Sequence, residues 1–61
     1  MGKTGLKDKF GKEILLGDEV KLDGKHFEVV INDFNKRIVI DGDTGQEALI
    51  KVYKNCEVVS R

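Results

Sequence analysis

The chain has 61 residues, eleven basic and eleven acidic side chains, and a formal net charge of zero. That length makes one domain, and a domain so small buries only roughly 60% of the surface its unfolded chain exposes, which leaves no room for a deep catalytic cleft beside a core. Balanced charge gives no global attraction to nucleic acid or anionic lipid, and no apolar run approaches the ~20 residues of a membrane helix.

Residues 1–5 read as a flexible N-terminus. Met1-Gly2-Lys3 is followed by polar residues, so no signal peptide is expected. Leu6 stands where a myristoylation signal carries Ser or Thr. Cys56, the one cysteine, cannot form an internal disulfide and points to a reducing, cytoplasmic setting. The stretch from Lys3 to Lys12 carries Lys3, Lys7, Lys9 and Lys12 against Asp8. Within it, Asp8-Lys9-Phe10-Gly11 suits a β-turn, with Asp at its first position and Gly at its fourth. Ile14, Leu15 and Leu16 supply apolar cover for one barrel mouth, and Gly17-Asp18 suits a tight corner.

Val20 and Leu22 alternate with Glu19 and Lys21. Asp23-Gly24 follows, a hairpin-turn pair because both residues tolerate positive φ. From Lys25 to Ile31 the period of two puts Phe27, Val29 and Ile31 on the core face and His26 on the outer face. Asn32 to Asn35 is a second turn. Arg37 to Asp41 is a strand with Ile38 and Ile40 on one face and Val39 on the other, over a barrel seam. Asp41 to Gly45 is a third turn. Glu47 to Tyr53 is apolar on both faces and reads as a strand ending in a short 3₁₀ turn near Tyr53 to Asn55. A helix fits only near 46–54, because β-branched residues and the short pattern disfavour anything longer. Cys56 to Val59 closes the sheet. Proline is absent. The predicted fold is all-β: a single domain over 1–61, a small SH3-like barrel of about five short antiparallel strands with one short 3₁₀ turn.

The run Thr4-Gly5-Leu6-Lys7-Asp8-Lys9-Phe10-Gly11-Lys12-Glu13-Ile14, followed by Gly17-Asp18-Glu19-Val20, resembles the opening of the YopX-like family. These are small proteins of bacteriophages and prophages, chiefly in Gram-positive bacteria. Cys56-Glu57-Val58-Val59 resembles the family's closing segment, so the likeness brackets the chain from Thr4 to Val59. Phe10 departs from the pattern, which usually has a polar residue there. Longer members continue past the position of Arg61 into an asparagine- and proline-containing tail, and no oligomer built by such a tail is expected here. The resemblance implies a mobile-element protein with a barrel-like domain in a bacterial host. It implies no activity.

Chemistry-bearing constellations are thin. Asp41-Gly42-Asp43-Thr44-Gly45 opens like a calcium loop, but Gly45, Gln46 and Val52 occupy positions where an EF-hand needs an oxygen ligand, glycine and glutamate. A lone His26 and a lone Cys56 fall short of a zinc site, and nothing along the chain joins them as a nucleophile pair. No catalytic residue, metal or cofactor is expected, and the chain does not read as an enzyme.

Phe34 is out of place at a turn tip between Asp33 and Asn35. It either folds back to cap the barrel or stands out as an anchor for a partner, since aromatic residues are enriched at binding hot spots. Phe10 poses the same choice. Phe34, Phe10, Asp33 and Asn35 are therefore the candidate surface for a protein partner of host or phage origin. The alternative is a nucleic-acid-binding barrel that uses Lys7, Lys9, Lys12, Lys36 and Arg37 on phosphates, with Phe10 stacking a base. A monomer or weak homo-oligomer is expected, with no membrane attachment.

Overall fold

The computed structural model describes residues 2–60. Seven antiparallel strands form two sheets. The first sheet is a hairpin of β1 (Lys3–Lys7) and β2 (Glu13–Leu15). The second holds β3 (Glu19–Leu22), β4 (Lys25–Ile31), β5 (Ile38–Gly42), β6 (Gly45–Ala48) and β7 (Glu57–Ser60), in the order β6-β5-β4-β3-β7. One helical turn, α1 (Leu49–Val52), runs into a 3₁₀ turn at Tyr53–Asn55. The expected count of about five strands is corrected to seven, and no closed barrel forms among the described residues.

Two further expectations are corrected. Residues 3–5 belong to β1 rather than to a free arm. Thr4 and Leu6 face inward while Lys3, Gly5 and Lys7 are exposed. Gly5 takes φ 78° where the register shifts, the positive-φ position of a bulge that glycine fills without strain. The Thr4 hydroxyl donates to the Ile14 carbonyl at 2.7 Å and accepts from the Leu6 N–H at 3.2 Å, which ties the bulge to β2. The strand expected over Glu47 to Tyr53 ends at Ala48. Leu49 is fully buried, and only a helical turn sets it into the core while leaving Ile50 and Lys51 outside.

Elsewhere the pattern holds except at Ile31, expected on the core face with Phe27 and Val29 but 47% exposed at the end of β4, beyond the core cluster. β4 spans the residues that the alternation marks, and Phe27 and Val29 are buried in it. Ile14, Val20, Phe27, Val29, Ile40, Leu49, Cys56 and Val58 form one core cluster. Each fully buried aliphatic side chain contributes about 1.5–3 kcal/mol. Val39 is also buried, on the opposite sheet face, between its half-buried cross-strand neighbours Val30 and Ala48.

Two buried carboxylates pin the hairpin and the corner to the sheet. Asp8 is 6% exposed. Its Oδ1 accepts from the Phe10 and Lys12 N–H groups at 2.9 and 2.8 Å, and its Oδ2 accepts from the Val58 N–H at 2.9 Å. The Lys9 N–H donates to the Cys56 carbonyl at 2.9 Å beside it. Asp18 accepts from the Leu15 N–H through Oδ2, and the Val29 N–H donates to its carbonyl. No buried polar side-chain atom is left without a partner among the described residues.

Candidate functional site

The turn from Asn32 to Arg37 joins β4 to β5. Asn32 organises it: its Oδ1 accepts from the Phe34 and Asn35 N–H groups at 2.8 and 3.3 Å. Its own N–H donates to the Arg37 carbonyl, and the Lys36 N–H donates to its carbonyl. The Asn32 Nδ2 donates to Gln46 Oε1 at 2.9 Å, which ties the turn to β6. Asn35 Oδ1 accepts from the Arg37 N–H at 2.9 Å. The tip is thus held by its own side chains, and Phe34 stands 98% exposed upon it. Of the two orientations open to Phe34, the outward one is found. Asp33 beside it is exposed, while Asn35 is engaged within the turn.

Lys36 closes the turn with φ 59°, in the left-handed region where a Cβ costs about 1–2 kcal/mol. Lys36→Gly is expected to raise stability by about 0.5–1 kcal/mol, read as a higher urea midpoint. A lower midpoint would show that the Lys36 side chain stabilises the fold by more than its backbone strain costs.

Below this turn a groove of about 350 Å³ opens between the two sheets. Thr4 and Leu6 of β1 form one wall; Ile38, Ala48, Leu49 and Ile50 form the other; Lys36 and Arg37 stand at the rim. Ile50 is 60% exposed, and Ile31, the cross-strand partner of Ile38, is 47% exposed. These aliphatic residues were not candidates in the sequence. Ile50 carried a faint signal as a bulky apolar residue on the second face of an already apolar segment.

Phe10 lies elsewhere. It is 72% exposed in the β1–β2 loop, with the Lys9 ammonium 5.3 Å from its ring centroid. Lys9 shares a depression with Asp23 and Gly24 of the β3–β4 turn. That turn is at the opposite end of β4 from Phe34, a separation of roughly 20 Å along a seven-residue strand. Phe10 and Phe34 therefore do not share one face. The cations divide in the same way, with Lys9 at one end and Lys36 and Arg37 at the other. The Lys12 charge is near the Asp8 carboxylate, and Lys7 is exposed at the end of β1, opposite Glu13.

Burial raises the Asp8 pKa, but the Val58, Lys12 and Phe10 N–H groups and the Lys12 charge outweigh it and hold the carboxyl below its ordinary value. Burial pushes the Cys56 thiol up, and the Asp8 charge adds to that. Cys56 is fully buried, whereas His26 is exposed and pairs with Glu19 across the β3–β4 ladder. The two do not meet. No cluster of three His, Cys, Asp or Glu side chains able to hold a metal ion occurs among the described residues.

The opening motif has a structural role at most of its positions. Thr4 and Gly5 make the bulge, Asp8 locks the loop, and Gly11 closes the Asp8 turn, donating to its carbonyl at 3.0 Å. Ile14 and Val20 are fully buried, and Gly17 and Asp18 form the corner against Val29. Phe10 alone in that run is a large apolar side chain left outside. No protein family, curated protein or solved structure matches the chain.

Proposed function

We propose that the chain is a phage or prophage accessory protein of YopX-like type, acting in the bacterial cytoplasm as a small non-enzymatic protein-interaction module on an SH3-like fold. The fold part is supported by the meander β3-β4-β5-β6, whose last partner β7 returns beside β3 after a 3₁₀ turn. The observation that carries the function is Phe34: a large apolar side chain held wholly in solvent by a turn that hydrogen-bonds to itself and to β6. Placing it there gains nothing for folding, and rigid exposed aromatics are what interfaces use as anchors.

Phe34→Ala is expected to leave stability within about 0.5 kcal/mol, as for surface positions generally, and to weaken partner binding at least about tenfold. Unchanged binding by a folded Phe34→Ala protein would remove Phe34 from the interface.

A second reading, nucleic-acid binding, is favoured by the Lys9–Phe10 pair at the β1–β2 loop. Division of the cations between two ends of the sheet weighs against it. It requires affinity that falls steeply with salt, because each neutralised phosphate releases counterion. Salt-independent binding of the natural partner would reject it.

A further inference from the structure

We infer that the groove between β1, β5 and α1 docks a short peptide segment carrying one or two bulky apolar side chains next to carboxylates. The inference rests on the protein-interaction reading above and gives its partner a chemistry.

Size and lining define the first half. A space of about 350 Å³ is at the small end of ligand pockets; it accepts a few side chains rather than the face of a domain. Leu6, Ile38 and Ile50 present aliphatic surface to it. Ile50 carries that surface outward at 60% exposure, and Ile31, outside the groove lining but the cross-strand partner of Ile38, is also well exposed. Burying two such side chains against a peptide removes apolar area from water, the general driving force of association.

Charge defines the second half. Lys36 and Arg37 stand at the rim, both exposed, and neither has an ion-pair partner among the described residues. A guanidinium fork donates two parallel N–H bonds to a carboxylate, so an Asp or Glu beside the apolar anchor completes the fit. Lys36 holds its place at φ 59°, where glycine would be the less strained residue. Nucleic acid fits less well. No aromatic ring lines the groove to stack a base, and stacking platforms are what single-stranded binders need.

The test is selection of a random dodecapeptide library against the full chain, followed by anisotropy measurements on the best peptide. Enriched sequences are expected to share Leu, Ile, Met or Phe beside Asp or Glu. Arg37→Glu and Ile50→Ser each alter an exposed side chain and are checked for fold by circular dichroism. Each is expected to weaken binding at least about tenfold, the equivalent of about 1.4 kcal/mol. Amide shifts should centre on Leu6, Ile38 and Leu49. The inference is overturned if no sequence is enriched, if enriched peptides lack carboxylates, or if both variants bind like the parent. It is also overturned if a single-stranded oligonucleotide binds the groove more tightly than any peptide. Phe34→Ala run in parallel separates the two claims. Silent groove variants with a strong Phe34→Ala loss would sink the groove and leave the interaction module standing. Binding insensitive to all three variants would remove both.

Discussion

Asp8→Ala is expected to destabilise the domain by about 3 kcal/mol, since removing the acceptor leaves buried donors unsatisfied at about 1–3 kcal/mol each. Three backbone N–H groups lose their partner, and the Val58 N–H is the buried one, fifty residues away in sequence. In a domain this small such a loss is a large share of the total stability. Urea denaturation should show a much lower midpoint, or a protein already partly unfolded in water. A midpoint within experimental error of the parent would mean that the hairpin docks through its apolar residues alone.

Asp8 also gives stability a sign with pH. Its folded pKa is below the ordinary 3.8, so the unfolded state binds its proton first as pH falls. The stabilisation is fully present above that ordinary value and is lost as pH drops from there through the lower folded value. Asp8→Asn, which keeps one acceptor oxygen, should fold better than the alanine variant and show a shallower loss of stability below pH 4. An unaltered acid profile in Asp8→Asn would assign the acid sensitivity to other carboxylates.

The second large effect concerns Gly42. It follows Asp41, which pairs with Glu28 on the β4–β5 ladder, and a Cβ built there comes within 2.6 Å of Phe27 Cδ2 and 2.9 Å of the His26 carbonyl oxygen. The Phe27 ring covers the bare glycine, the cross-strand device by which an aromatic compensates for a missing side chain. Gly42→Ala must move the ring or the backbone. The cost expected for such overpacking is about 1–3 kcal/mol. Ring and glycine are coupled, so Phe27→Leu should cost less in the Gly42→Ala background than alone, a non-additivity that a double-mutant cycle reads directly. Additive losses would place the clash on the His26 carbonyl instead.

How far the sequence carries the fold depends on local pattern. β4 is legible to the residue, because alternation and the Asp23-Gly24 turn agree, and the 3₁₀ turn falls at Tyr53–Asn55 as expected. β1 is not legible, because its inward pair is only Thr4 and Leu6 around a bulged glycine, too short and too polar to show a period. α1 falls inside 46–54, the one stretch where a helix fits, but the strand reading prevails there for a related reason. Four residues cannot display a 3.6-residue repeat, and the Ile50 and Val52 side chains imitate a strand.

The site divides along the same line. Phe34 is legible as an aromatic among turn residues, but its direction is fixed by the Asn32 hydrogen bonds, which no pattern reveals. The groove is invisible in sequence because Leu6, Ile38 and Ile50 meet only after three distant elements pack. Lysines close in sequence terms mislead in the opposite way: folding carries Lys9 to one end of β4 and leaves Lys36 and Arg37 at the other.

The central claim is that the Phe34 end of the sheet is a protein-binding surface. The most direct measurement is quantitative capture from nuclease-treated cell lysate on parent and Phe34→Ala proteins side by side. The account predicts a protein that survives nuclease and falls at least about tenfold on the Phe34→Ala bait. Equal recovery on both baits, or partners that vanish with nuclease, would contradict it.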